Sequence, residues 1–194
     1  MPVCYPPRRA AAASLLALCA ALIPPASARA DDVTDALQSA ISAYEEGDIG
    51  YAIEELDYAK QLLASMKADA LVGFLPEAPD GWTREVNTEM GAGLAMMGGG
   101  TGAEAEYSGD GSSFTITFMA DNPMVSGMAA AIGSAAAIGA KVERVGREKF
   151  MVHNGEITGL VDNRILVQAK GGEPDMMLDL LKSVDYGELA DFGR

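Results

Sequence analysis

Apolar residues in the segment 31–72 recur every three or four positions, which is the spacing of one face of an α-helix. Gly47-Asp48 interrupts this spacing, and the interruption indicates a turn, because glycine commonly follows a helix end and aspartate commonly precedes a helix start. The segment is therefore predicted to form a helical hairpin. Its apolar stripes are Val33, Leu37, Ala40, Ile41 and Tyr44, followed by Ile53, Leu56, Ala59, Leu63 and Met66.

The segment 73–82 is predicted to be a connector. Pro76 and Pro79 prevent a helix from continuing, and Asp80-Gly81 is a turn dipeptide. The domain boundary is placed here, so residues 83–194 form a second unit. Trp82, the only tryptophan, is expected to pack at the junction between the two units and is a candidate contact residue.

After the connector the apolar period becomes two, which is typical of β-strands with one buried face. Phe114, Ile116 and Phe118 alternate with less apolar residues, and short Gly-, Asp- or Asn-containing turns separate successive strands. The predicted order is β-β-β-α-β-β-β-β-α, an α+β fold in which an antiparallel sheet of about six or seven strands packs with two helices. The assigned strands are Ala103–Ser108, Ser112–Met119, Lys141–Val145, Lys149–Val152, Glu156–Val161 and Arg164–Ala169.

Two helices are predicted within this unit. Asn122 and Pro123 begin the first, and Gly139 ends it. Small residues recur along it four positions apart, a pattern that also occurs in membrane helix dimers. Its length instead favours a buried helix whose glycines allow close approach to the sheet. The second helix opens at Pro174 and carries Met177, Leu178, Leu181 and Val184.

Residues 1–30 have the pattern of a secretory signal peptide. Arg8 and Arg9 precede the apolar segment 10–23, and Ala28-Arg29-Ala30 is an A-x-A-like cleavage site. This segment of 14 residues is shorter than the about 20 that a spanning helix needs. We therefore predict cleavage after Ala30 and a periplasmic location. Lipid attachment at Cys19 is the alternative, but the large Leu18 stands where lipoproteins normally carry a small residue.

Removal of the signal changes the charge and the available chemistry. The full chain has 14 Lys+Arg, 28 Asp+Glu and a net charge of -14. Loss of Arg8, Arg9 and Arg29 leaves 11 bases against 28 acids, or -17, concentrated before residue 122. This charge argues against nucleic-acid binding through a basic surface. Both cysteines also leave, so the mature chain has no thiol for a disulfide, a nucleophile or a metal site.

Methionines offer the main candidate metal chemistry, because thioethers are soft ligands that select Cu(I). Met124 and Met128 share a helix face at i, i+4 spacing, and His153 is the only imidazole. Core packing is the competing interpretation, since methionine often fills apolar cores. Met96 and Met97, in the glycine-rich segment 91–102, are candidates for an adaptable contact surface.

No catalytic constellation emerges from the sequence. The glycine-rich segment lacks the Gly-Lys-Ser/Thr of a phosphate-binding loop. A single histidine excludes a multi-histidine metal site, although a pair of carboxylates stays open as a hydrolase alternative. We expect no cofactor and a non-catalytic role.

Two resemblances accompany these patterns. The hairpin resembles the core of one tetratricopeptide repeat at Ala40, Gly47-Asp48, Ala52-Ile53, Leu56 and Ala59. Ala36 stands where that motif has a large aromatic, and its closing proline is absent. Residues 74–82, 98–102, 121–124 and 158–168 together resemble exported proteobacterial proteins of unknown function, which pair a short helical hairpin with an α+β domain. This likeness covers most of the mature chain and implies periplasmic residence. It transfers no catalytic residue.

The sequence thus predicts a soluble periplasmic accessory or binding protein that acts through protein–protein contacts. A lone helical hairpin cannot bury its own apolar surface, so we expect it to pack on the sheet, on a partner or on a second copy. The alternative function is Cu(I) binding through methionines.

Overall fold

The computed structural model describes residues 26–87, 90, 94 and 99–194. A helical hairpin comes first, and a seven-stranded sheet with further helices follows it, which confirms the predicted α+β class. The helices are α1 (Ala26–Glu46), α2 (Ile49–Val72), α3 (Pro123–Gly133), α4 (Pro174–Leu181) and α5 (Tyr186–Asp191), with a 3-10 helix at Ala135–Ile138. The strands are β1 (Thr83–Asn87), β2 (Thr101–Gly109), β3 (Ser112–Ala120), β4 (Lys141–Val145), β5 (Glu148–His153), β6 (Glu156–Val161) and β7 (Ile165–Lys170).

The sheet has the order β1-β2-β3-β7-β6-β5-β4, and every neighbouring pair is antiparallel. Tight turns at Asp110-Gly111, Asn154-Gly155 and Asp162-Asn163 join consecutive strands, and both residues of each have positive φ. Such turns match the right-handed twist of the strands that they join. The long-range pairing of β3 with β7 unites the two halves of the sheet.

The main core lies on one face of the sheet. Alternate residues of β3, among them Phe114, Ile116 and Phe118, are almost fully buried there. Helices α4 and α5 cover this face through Met177, Leu181 and Leu189, and the end of α2 adds Leu71. The other face carries a smaller cluster, in which Val125 of α3 packs with Leu160 and Leu166 of the sheet.

Two helix predictions need correction. The helix expected from Pro123 to Gly139 ends at Gly133 and gives way to the 3-10 helix. Its glycines do not approach the sheet, because a Cβ added at Gly127 or Gly133 would meet no atom within 4 Å. No helix among the described residues has both the length and the apolar character needed to cross a bilayer.

The expected single C-terminal helix is two helices, α4 and α5. Asp185 causes the break, since its carboxylate accepts hydrogen bonds from the N–H groups of Gly187 and Glu188 and caps α5. Val184, expected within the helix, lies in the link and is still buried.

Candidate functional site

Alanines form the contact between α1 and α2. Ala36, Ala40 and Ala43 of α1 are at most 4% exposed, and Ala52 and Ala59 of α2 are at most 6% exposed. Because alanine has only a methyl side chain, helices that meet through it approach closely. Large side chains are therefore displaced from the line of contact.

The large apolar residues of the hairpin lie outside this contact. The sequence grouped them with the buried residues into single stripes, and that grouping is wrong: Val33 and Ala40 are buried, whereas Ile41 and Tyr44 are not. Nine large apolar residues of the hairpin are between 40% and 69% exposed, and all of them except Tyr51 and Tyr58 lie on one side. We call the seven on that side the apolar face: Leu37, Ile41, Tyr44, Ile49, Ile53, Leu56 and Leu63.

Helix geometry places all seven on one side of the hairpin. With 3.6 residues per turn, Ile53 and Leu56 point to one side of the buried Ala52, and Tyr51 points to the other side. On α1, Leu37 and Ile41 are displaced from the buried alanines in the same rotational sense. Equal rotational offsets on two antiparallel helices point to the same face of the pair, so both helices contribute to one surface.

The opposite side of the hairpin is polar. A shallow groove between the helices is lined there by Asp35, Ser39, Ser42, Glu46 and Tyr51, among others. Tyr51 and Tyr58 are 48% and 50% exposed, similar to the residues of the apolar face. One side of the hairpin is therefore mainly apolar and the other is mainly polar, and the alanine contact between α1 and α2 separates them.

The turn of the hairpin is held by backbone hydrogen bonds. The N–H of Gly47 donates to the carbonyl of Tyr44, and the N–H of Asp48 donates to that of Ala43. This is a Schellman motif, which needs a left-handed residue, and Gly47 has φ +84°. The Asp48 carboxylate then accepts from the N–H of Tyr51 at 3.0 Å and caps α2. The relative position of the two helices is thus fixed at the turn.

The end of α2 attaches the hairpin to the sheet. Leu71 is fully buried in the main core, and Lys67 donates to the Asp121 carboxylate at 2.7 Å. Arg164 donates to the same carboxylate at 2.9 Å. Partial burial by itself raises the pKa of Asp121, but the hydrogen bonds and charges of Lys67 and Arg164 outweigh burial and hold it below its usual value. Asp121 therefore links α2 to the turn that follows β6.

The connector is attached by buried polar contacts. The Tyr107 hydroxyl donates to the Pro76 carbonyl at 2.7 Å, and burial raises the pKa of this tyrosine to about 12. Arg84 donates to the carbonyls of Leu75 and Pro76, each at 3.1 Å. These bonds fix the path from α2 into β1.

Trp82 packs at the edge of the main core. Its ring centroid lies 5.4 Å from that of Phe114, and a Cβ added at Gly109 would come within 2.5 Å of its ring. The absence of a side chain at Gly109 thus makes room for the indole beside the turn between β2 and β3. Packing accounts for this position, and a contact role for Trp82 stays a prediction.

Met128 and His153, the two metal-ligand candidates whose side chains the structure describes, lie apart. Met128, on α3, packs against the small cluster that contains Leu160 and Leu166. His153 pairs with Glu156, which is four residues, or about 13 Å, along β6 from Leu160. The structure therefore does not place Met128 and His153 side by side. The Met124 side chain and the whole of Met96 and Met97 lie outside the described residues.

Within the described ranges, no group of three or more His, Cys, Asp or Glu side chains is arranged to hold a metal ion. Comparisons of the chain with protein-family models, with curated proteins and with solved structures found no match. The apolar face is the feature that sequence reasoning missed. A signal was present, because the alanines and the larger residues form two adjacent lines at helical spacing on each helix.

Proposed function

We propose that this chain is a periplasmic accessory or binding protein, without catalytic activity, that acts through protein–protein contacts made by the apolar face. One observation carries the proposal: seven large apolar side chains on one side of the hairpin are 40% to 69% exposed. Together they present on the order of 600 Å² of apolar surface, which reaches the upper end for the largest patch on a monomer. Patches of this size are often functional, whereas isolated exposed leucines need no explanation.

The sequence supports the remaining parts of the proposal. The signal pattern with Arg8, Arg9 and the segment Ala28-Arg29-Ala30 supports export, and mass spectrometry of the purified protein would detect a chain that begins at Asp31. A chain still beginning at Met1 would argue against export by cleavage. The mature sequence has no cysteine and one histidine, which supports a binding role over nucleophilic catalysis.

Affinity capture from a periplasmic extract tests the proposal. The double variant Ile41→Ser/Ile53→Ser removes apolar surface from both helices, and Tyr51→Ser/Tyr58→Ser removes comparably exposed surface from the other side. Both variants keep every formal charge. We expect the wild type and the tyrosine variant to retain the same protein and the isoleucine variant to lose it. Equal retention by all three would refute a role for the apolar face, provided that circular dichroism shows both variants folded.

A further inference from the structure

We infer that the apolar face binds the apolar face of a second copy of this chain, so that two hairpins form a four-helix bundle. This inference rests on the proposed function, because it names the protein partner for the same surface. It follows from the spacing of the apolar residues, from the area and charge of the face and from the position of the sheet.

The apolar residues have the spacing of helices that pack along their length. On α2, Ile49, Ile53, Leu56, Lys60 and Leu63 follow one another at intervals of four, three, four and three, which is heptad spacing. On α1, the residues of the apolar face repeat the intervals of four and three. Two such lines on an antiparallel helix pair form a surface that a second antiparallel pair complements, and the product is a four-helix bundle.

A two-fold axis makes the face its own complement. In a symmetric dimer the same patch lies on both sides of the interface, so apolar lines meet apolar lines. Alanines such as Ala40 and Ala59 bring the helices close within each hairpin, and the larger leucine and isoleucine side chains would fill the wider space between hairpins. The chain therefore carries both halves of this interface.

The area of the face is sufficient for a dimer. One copy presents on the order of 600 Å² of apolar surface, so two copies face to face remove about 1,200 Å² from water. Specific and stable interfaces bury about 1,200 to 2,000 Å² in total. The face reaches this range when its occupant covers it with an equal area, as a second copy does by symmetry.

The charge of the face itself is compatible with a second copy. Lys60 lies within the apolar line, and its ammonium pairs with Asp57 of the same helix at 3.2 Å, so the pair adds no net charge to the face. Acidic residues instead line the groove on the opposite side, among them Asp35, Glu46 and Asp48. Because like charges oppose association, two hairpins would meet through their apolar faces rather than through their grooves.

The sheet leaves the apolar face accessible. Leu71 is fully buried in the main core, whereas Leu63, about two turns earlier, is 50% exposed. Leu56 is the midpoint of the line, seven residues from both Ile49 and Leu63. A two-fold axis that crosses the helices at Leu56 places the two sheets at opposite ends of the bundle. Leu56 of each copy then lies beside its counterpart.

Sedimentation of the purified protein tests the inference. We expect the wild type to dimerise with a Kd of about 10 µM or lower, as suits an interface of this area. Ile41→Ser/Ile53→Ser should raise that Kd at least about a hundredfold, because a symmetric interface loses four apolar side chains. Tyr51→Ser/Tyr58→Ser removes comparably exposed residues from the opposite side and should leave the Kd within about twofold.

Cross-linking is an independent measurement that needs only one substitution. Residues 31–194 contain no cysteine, so a single introduced thiol reports its own position. Leu56→Cys should give a covalent dimer with a short bis-maleimide. The matched control Gln61→Cys, which helix geometry directs away from the apolar face on the same helix, should stay monomeric.

Three results would overturn the inference. These are a wild type that stays monomeric at about tenfold above the expected Kd, a dimer that survives Ile41→Ser/Ile53→Ser, and equal cross-linking through Leu56→Cys and Gln61→Cys. Circular dichroism confirms that each variant is folded.

Two further results would assign another occupant and overturn the inference equally. One is a monomer that binds phosphatidylglycerol vesicles and loses this binding in the isoleucine variant, and the other is a monomer that retains a different protein in the capture experiment. Failure to dimerise therefore leaves the capture experiment to decide the proposed function. If the isoleucine variant changes neither dimerisation nor capture, the apolar face is rejected as a binding site.

Discussion

Asp121 provides a sharp test of how the hairpin is held on the sheet. Its carboxylate accepts hydrogen bonds from Lys67 of α2 and from Arg164 of the turn after β6, at 2.7 and 2.9 Å. Asp121 has φ +56°, a left-handed conformation that asparagine also tolerates. The variant Asp121→Asn therefore removes the charge and keeps a residue that suits the backbone.

The expected loss of stability follows from the exposure of the three groups. Their side chains are 27% to 36% exposed, so the two bonds lie between surface ion pairs and buried charged hydrogen bonds. Together we expect them to contribute about 1 to 2 kcal/mol to the free energy of unfolding near pH 7. For a chain of this size, that loss lowers Tm by about 2 to 8 °C.

The pH dependence has a definite sign. The pKa of Asp121 is lower in the folded protein than in the unfolded chain, so its contribution is fully present above the unfolded value of about 3.9. The contribution is lost as the pH falls through the folded pKa. The difference between wild type and Asp121→Asn should therefore be constant from pH 7 to pH 5 and shrink below about pH 4.

Urea unfolding followed by the fluorescence of Trp82 measures this difference, because the indole packs on Phe114 in the sheet. Asp179→Asn is the matched control: its carboxylate pairs with Lys182 at 2.6 Å but is 73% exposed, so the change should stay within about 0.5 kcal/mol. If Asp121→Asn is as stable as the wild type at pH 7, or if the difference persists unchanged at pH 3, the role assigned to this carboxylate is refuted.

Two further outcomes are expected. Gly159→Ala should lower the free energy of unfolding by about 1 to 3 kcal/mol, because the new methyl group would lie 2.5 Å from the buried ring of Phe150. The control Gly127→Ala meets nothing within 4 Å and should be neutral or stabilising. Equal urea midpoints for the two variants would contradict this packing. A Cu(I) titration with a chromophoric competitor should give no binding at micromolar concentration, because Met128 packs in an apolar cluster away from His153. Binding that is lost in Met128→Leu would instead support the copper alternative.

The sheet was predictable because independent local signals agree. Apolar residues at every second position of β3 fix which of its faces is buried. Asp110-Gly111 fixes the reversal between β2 and β3, and Asn154-Gly155 fixes the reversal between β5 and β6. The pairing of β3 with β7 was not predictable in the same way, since no local turn joins them. It depends on the whole sheet forming around one core.

The C-terminal helices show how a cap overrides apolar spacing. Leu181 and Val184 continue the helical spacing of α4, and the sequence therefore predicted one helix. The Asp185 carboxylate instead caps a new helix, and Val184 stays buried in the link. Apolar spacing indicates which residues are buried, whereas side-chain hydrogen bonds with the backbone decide where a helix starts and ends.

The exposed residues of the hairpin follow from the residues that it buries. Replacing Ala40 or Ala59 by a large residue would force the helices apart, so a close contact through alanine displaces the larger side chains to its margins. Complete burial of a leucine or isoleucine side chain stabilises a protein by about 1.5 to 3 kcal/mol. Because the seven residues of the apolar face are about half exposed, burying them fully would add several kcal/mol of stability. That is a large amount beside a net stability of order 5 to 15 kcal/mol. A protein partner that covers the apolar face would recover much of this stabilisation.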